Sequence, residues 1–175
     1  MHEHVRKSLI SIDIKTATEP SDLRALVETG VDYISFRPEV VDDASSVIKM
    51  IKAYDSKIGL SLDVNSGIKK YSVLFDQIDF ITIYLDERST TDSCISSTDL
   101  EKISYIRGIV TERQSDLSIC VAGRITPENV SALVRLDVKR FIIGQTLFES
   151  HDYYTTISRL KMAIKSCEKP RDTQI

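Results

Sequence analysis

Cysteine is scarce in this sequence, neither sign of charge is in marked excess, and no long apolar run occurs. Each absence removes a class of function. Cys94, Cys120 and Cys167 are odd in number and far apart, which argues against a disulfide frame or a zinc cluster and for reduced thiols in a reducing compartment. Lys and Arg number 23 against 26 Asp and Glu, for a net charge of -3, so there is no basic footprint for nucleic acid and no polybasic patch for lipid. Nothing approaches the roughly 20 apolar residues of a membrane span. Met1 to Lys7 is polar and does not read as a signal peptide. The expectation is a cytoplasmic protein of one domain, residues 1–175, its 42% hydrophobic content sufficient for one sizeable core.

What is present is alternation. Short β-branched runs, Ser8–Lys15, Val31–Arg37, Lys57–Val64, Phe80–Asp86, Leu117–Ala122 and Arg140–Gly144, read as strands. Each is followed by a stretch that reads as helix: Ser21–Thr29, Asp43–Tyr54, Ile68–Phe75, Thr98–Gln114, Pro127–Leu136 and Tyr153–Ser166. Local chemistry marks the boundaries. Thr126 precedes Pro127 as an N-cap precedes a first helical proline. Thr98 and Glu101 have the spacing of a capping box, and Gly30 stands where a left-handed C-terminal residue is wanted. The polar stretch Glu87–Ser97 follows the fourth strand, where a parallel barrel carries functional loops; a solvated connector explains it equally well.

Strict βα alternation implies a parallel sheet with right-handed crossovers, closed as a barrel or open and doubly wound. In the first strand Ile10, Ile12 and Ile14 share one face, and Ser11, Asp13 and Lys15 the other. Strands of a doubly wound sheet are usually apolar on both faces, whereas barrel strands can point polar residues inward near their C-terminal ends. We therefore expect an α/β fold of the parallel (β/α) TIM-barrel type with six βα units.

The segments IGLSLDVNSG, DQIDFITIYLDE, LEKISYIRGIV and LSICVAGRITPENVSALVRLDVKRFIIGQTLF, in that order and spacing, resemble the last four units of ribulose-phosphate 3-epimerases. SLISIDIKTATEPSDLRALVETGVDYISFRPEV resembles their third and fourth. The six units thus correspond to units three to eight of an eight-unit barrel, with MHEHVRK in place of the first two. Six strands do not close the usual eight-stranded barrel, and a homo-oligomer is one way to cover the edges.

The resemblance implies proton transfer beside a ketose carbonyl through an enediolate, by two Asp residues and a divalent metal bound by His and Asp. One of those Asp residues belongs to the family's second strand. The other falls in a V-D-G-G turn that reads here Val121, Ala122, Gly123, Arg124. Lys15 replaces a His ligand, so no metal is expected there and no cofactor is implied. The family's glycine-rich loop is replaced by residues Glu87 to Asp92, leaving Gly123, Arg124, Gly144, Gln145 and Thr146 as the phosphate-binding candidates. Tight turns and a solvated Arg124 account for them equally well.

Asp13, Lys15 and Asp63 are the titratable candidates for catalysis at strand ends, beside Arg37 and Tyr84. Asp13-Ile14-Lys15 also matches the start of the D-x-K-x-x-D motif of the decarboxylase and hexulose-phosphate synthase branch of this superfamily, although the final Asp is missing; a simple interior ion pair is the blander reading. Cys120 reads as a packed side chain, His2 and His4 as a polar terminus, and His151 as remote from the strand ends. Three functions follow: an epimerase-like protein acting on or binding a phosphorylated ketose, an inactive relative serving as a binding or assembly module, and a decarboxylase or synthase-like enzyme using Asp13 and Lys15.

Overall fold

The computed structural model describes residues 9–63, 66–86, 88 and 90–167. Six strands, β1 (Ser11–Ile14), β2 (Tyr33–Phe36), β3 (Lys57–Asp63), β4 (Phe80–Tyr84), β5 (Ser118–Ala122) and β6 (Arg140–Ile142), lie side by side in chain order, each pair parallel. The helices are α1 (Pro20–Glu28), α2 (Ala44–Lys52), α3 (Ile68–Tyr71), α4 (Ser97–Glu112), α5 (Val130–Arg135), α6 (Gln145–Phe148) and α7 (Tyr153–Cys167). None of them is long and apolar enough to cross a membrane.

Alternation decides which way each strand faces. Ile34, Phe36, Ile58, Leu60, Leu62, Ile81, Ile83 and Val121 occupy one set of alternate positions and are fully buried beneath the helices. Each such side chain contributes about 1.5–3 kcal/mol, so this layer dominates the stability of the sheet. The other set is mostly polar: Asp13, Ser35, Ser61, Thr82 and Tyr84. The Asp13 carboxylate on β1 reaches the hydroxyls of Ser61 on β3 and Tyr84 on β4. In a flat sheet with strands ~4.8 Å apart, β1 and β4 would stand roughly 14 Å from one another. The sheet is therefore curled, polar face inward, as a partly closed TIM barrel.

Several boundaries differ from expectation for local reasons. β1 is shorter than its apolar pattern, and Leu9 and Ile10 before it are 62% and 55% exposed. The predicted third helix is a single α turn followed by a 3-10 segment, Ser72–Gln77. Ser96, not Thr98, caps α4, its hydroxyl accepting from Asp99 N. The segment after Thr126 makes a turn first: Thr126 N donates to Asn129 Oδ1, Asn129 N to Thr126 Oγ1, and α5 begins only at Val130. Asp43 caps α2 by accepting from Ser45 N and Ser46 N, and Gly30, at φ +79°, supplies the left-handed turn after α1. The end of the predicted third strand at Val64, together with Glu87, Ser89, His2 and His4, lies outside the described residues.

Candidate functional site

Two polar clusters sit at the C-terminal ends of the strands. The first is centred on Asp13, which β1 aims into the curl. Its Oδ1 accepts from Ser35 Oγ at 2.9 Å and from Ser61 Oγ, and its Oδ2 accepts from Tyr84 Oη at 2.6 Å. Lys15, two residues on and thus on the same face, holds its ammonium 3.9 Å from Asp13 Oδ2 and 4.3 Å from the centre of the Tyr84 ring. Its side chain is 52% exposed against 18% for Asp13, so the carboxylate lies within the curl and the cation at the rim. Burial, then hydrogen bonding to Asp13, raises the Tyr84 phenol well above its ordinary range. Tyr84 is accordingly a neutral donor at any physiological pH.

Asp63 does not join Asp13. It forms a two-pronged pair with Arg37, Nη2 to Oδ1 at 3.2 Å and Nη1 to Oδ2 at 3.1 Å. The Arg37 Nε is buried with no hydrogen-bond partner. Asp63 is thereby engaged as the acceptor of a bidentate cation.

The second cluster gathers the phosphate-binding candidates, and the structure does bring their two turns together. Gly123 N points to Ile142 O at 3.4 Å, and Thr146 Oγ1 donates to Ile125 O at 2.7 Å. Gly123 takes φ +139°, and a Cβ there would stand 3.1 Å from Leu85 Cβ, so the turn needs glycine for both conformation and space. Arg124 donates to Asp92 Oδ1 at 2.5 Å and approaches Glu149 Oε2 at 3.7 Å. The Asp92 hydrogen bond raises the guanidinium above its ordinary value. Gln145 Nε2 donates to Glu149 Oε1 at 2.8 Å, and Gly144 leads into the short α6. Each polar side chain of this set already has a partner within the protein.

The described part of the loop over residues 87–97 is docked on the turn before α5. Asn129 Nδ2 donates to Thr91 O and Thr126 Oγ1 to Asp92 O, while Thr90 Oγ1 donates to the buried Asp99 carboxylate. Sequence reading missed Ser35, Ser61, Asp92 and Asn129; the Thr-Pro-Glu-Asn spacing was the only available signal for the last.

The residues present do not suit a divalent cation. Asp13 is occupied by three hydroxyls, Lys15 puts an ammonium beside it, and among the described residues no group of three His, Cys, Asp or Glu side chains could hold a metal. Cavities among the described residues lie away from these clusters. One of about 530 Å³ opens at the N-terminal strand ends among Tyr33, Lys57, Asp79 and Arg140, where Lys57 and Asp79 pair at 2.9 Å. Another of about 440 Å³ lies along the open side between Leu9 and Ile142, with Cys120 in its wall. Cys120 is buried, and that burial raises its thiol above its ordinary value.

A family model described as the ribulose-phosphate 3-epimerase family matches residues 3–148. The chain belongs to that family. Its curated relatives include the ribulose-phosphate 3-epimerase of Buchnera aphidicola subsp. Baizongia pistaciae, 24% identical over 169 residues that span 95% of this chain and 74% of that one. The ribulose-phosphate 3-epimerase of Buchnera aphidicola subsp. Schizaphis graminum is 23% identical over 159 residues, 90% of this chain and 70% of that protein. Among solved structures, KGPDC from Streptococcus mutans superposes with a TM-score of 0.68 at 17% identity, over 92% of this chain and 74% of that one. A 3-hexulose-6-phosphate synthase gives 0.63 at 16%, over 90% and 74%. These likenesses establish the barrel fold of this epimerase-family member.

Proposed function

We propose that this member of the epimerase family binds a phosphorylated ketose at the C-terminal ends of its strands, without a divalent metal, and that Lys15 is the group that meets the sugar's oxygens. The observation that carries the reading is the placement of Lys15: a half-exposed cation steered by Asp13 and seated on the Tyr84 ring at the rim of the curl. A cation so placed attracts a phosphate or an enediolate oxygen. The turns at Gly123 and Gly144 follow β5 and β6 and lie at the same, C-terminal, end of the sheet. Binding without turnover is the preferred form. The family's aspartate position in the seventh-strand turn falls in this chain's Val121 to Arg124, which holds no carboxylate, and the oxygens of Asp13 are filled by hydroxyl donors.

A second reading, proton transfer by the Asp13 and Lys15 pair, is favoured by their 3.9 Å approach. One experiment separates the two. The protein is incubated with ribulose 5-phosphate in deuterated buffer, with EDTA and with added divalent metal, and both the sugar C3 hydrogen and the protein amide spectrum are followed by NMR. The binding reading expects amide shifts around Lys15 and Tyr84 that persist in EDTA and are lost in Lys15→Gln, with no exchange above a protein-free control. Exchange that disappears in Lys15→Gln would establish the second reading. No shifts and no exchange would remove both.

A further inference from the structure

Helix α7 has two unlike flanks. Along one it packs on α5, where Arg159 Nη2 donates to Glu128 Oε1 at 2.6 Å, and its inner face buries Leu160. The opposite flank carries Tyr153, Tyr154, Ile157 and Lys161, spaced as one stripe of a helix. Tyr153 is 56% and Tyr154 82% exposed, and Phe148 of the adjoining α6 is also 82% exposed. Ile143, Leu147, Phe148, Tyr153 and Ile157 enclose a groove of about 230 Å³. Among the described residues β6 pairs only with β5, so no further strand stands on that side. Single exposed apolar residues are ordinary on a surface, but three neighbouring rings and a groove are not.

We infer that this flank is an interface with a second copy of the same chain, the two α7 helices packing antiparallel across a two-fold axis near Ile157. Charge selects both the occupant and the orientation. Asp152, which caps the start of α7 by accepting from Thr155, precedes the helix, Lys161 and Lys165 lie in its second half, and Tyr153 to Cys167 contains no acidic residue. An antiparallel pair sets the acidic end of each copy against the basic end of the other, twice over. The same surface is thus complementary to itself, as an isologous two-fold contact requires. Area is consistent with this. Aromatic side chains bury roughly 150–250 Å² each. Three rings exposed by half or more therefore offer on the order of 400 Å², about half of the ~800 Å² each partner gives a standard interface. The aliphatic stems of the two lysines and the rim of the groove lie next to the rings and extend the contact.

Sedimentation velocity across a concentration series tests the inference. The wild-type chain should dimerise, and the double variant Tyr154→Glu/Ile157→Glu should sediment as a monomer with an unchanged far-UV spectrum, because both residues are exposed, and its thermal midpoint should lose the concentration dependence that association gives the wild type. Orientation is tested by Ile157→Cys in a Cys94→Ser/Cys167→Ser background. Near the axis the introduced thiol meets its own copy, so oxidation should yield a covalent dimer in high yield. Lys161→Glu should weaken association at low salt. A wild-type monomer at every concentration, a dimer indifferent to the double variant, or a different polypeptide held on this flank would overturn the proposal.

Discussion

The two clusters at the C-terminal strand ends are built in opposite ways. Around Asp13 a carboxylate lies inside the curl, surrounded by the hydroxyls of Ser35, Ser61 and Tyr84, and its nearby cation Lys15 extends into solvent. Around Arg124 a cation near the surface is closed off by the carboxylates of Asp92 and Glu149. The first cluster spans β1 to β4 and ties the curl together across the sheet; the second ties one loop to the neighbouring turns. The difference teaches that a charged residue's capacity to bind a ligand depends on whether its own protein already neutralises it. Arg124, a phosphate-binding candidate in sequence, is paired with Asp92 and Glu149 in the structure, whereas Lys15 has a half-exposed side chain whose ammonium stands 3.9 Å from Asp13.

The comparison can be broken most forcefully at Asp13. Asp13→Ala would leave three hydroxyls without their shared acceptor, that of Ser61 fully buried, and should lower the unfolding free energy by about 3 kcal/mol in urea titration. An unchanged midpoint would mean that the cluster does not hold the curl. Tyr84 gives a smaller effect with a distinctive pH dependence. Its phenol is raised in the folded chain above the value of about 10 it has when unfolded. The associated stability is therefore fully present below pH ~10 and is lost as pH rises from there toward the folded value. Tyr84→Phe should remove that part of the alkaline decline in the urea midpoint, and a variant declining just as steeply would contradict the assignment. The smallest effect belongs to Arg124. Arg124→Gln should move the midpoint far less than Asp13→Ala, with the difference vanishing in high salt, because its ion pairs are exposed. A shift as large as that of Asp13→Ala would reverse the contrast between the clusters.

The fold was legible because it rests on alternation. Ile12 and Ile14 against Asp13 and Lys15 define the two faces of β1, and six such strands separated by helical stretches leave few arrangements. The Asp13 and Lys15 pair was legible for the same reason. The partners of Asp13 were not: Ser35 and Ser61 are ordinary strand serines until the register sets Asp13 beside Ser35 and the curl carries it on to Ser61. Nor was the fate of Arg124, since the carboxylates that engage it come from positions 92 and 149, one before and one after it in the chain. Non-local pairing of this kind leaves no periodic trace.

Gly59 sits beside Phe80 on the neighbouring strand, and a Cβ there would meet that ring at 2.4 Å. The same ring, with Tyr33, flanks the Arg140 guanidinium at 4.7 and 4.9 Å. Positions 59, 80 and 140 are therefore coupled through one ring. A side chain at position 59 would have to displace the Phe80 ring or be matched by a smaller residue at 80, and either change would take from the arginine one of its two ring platforms.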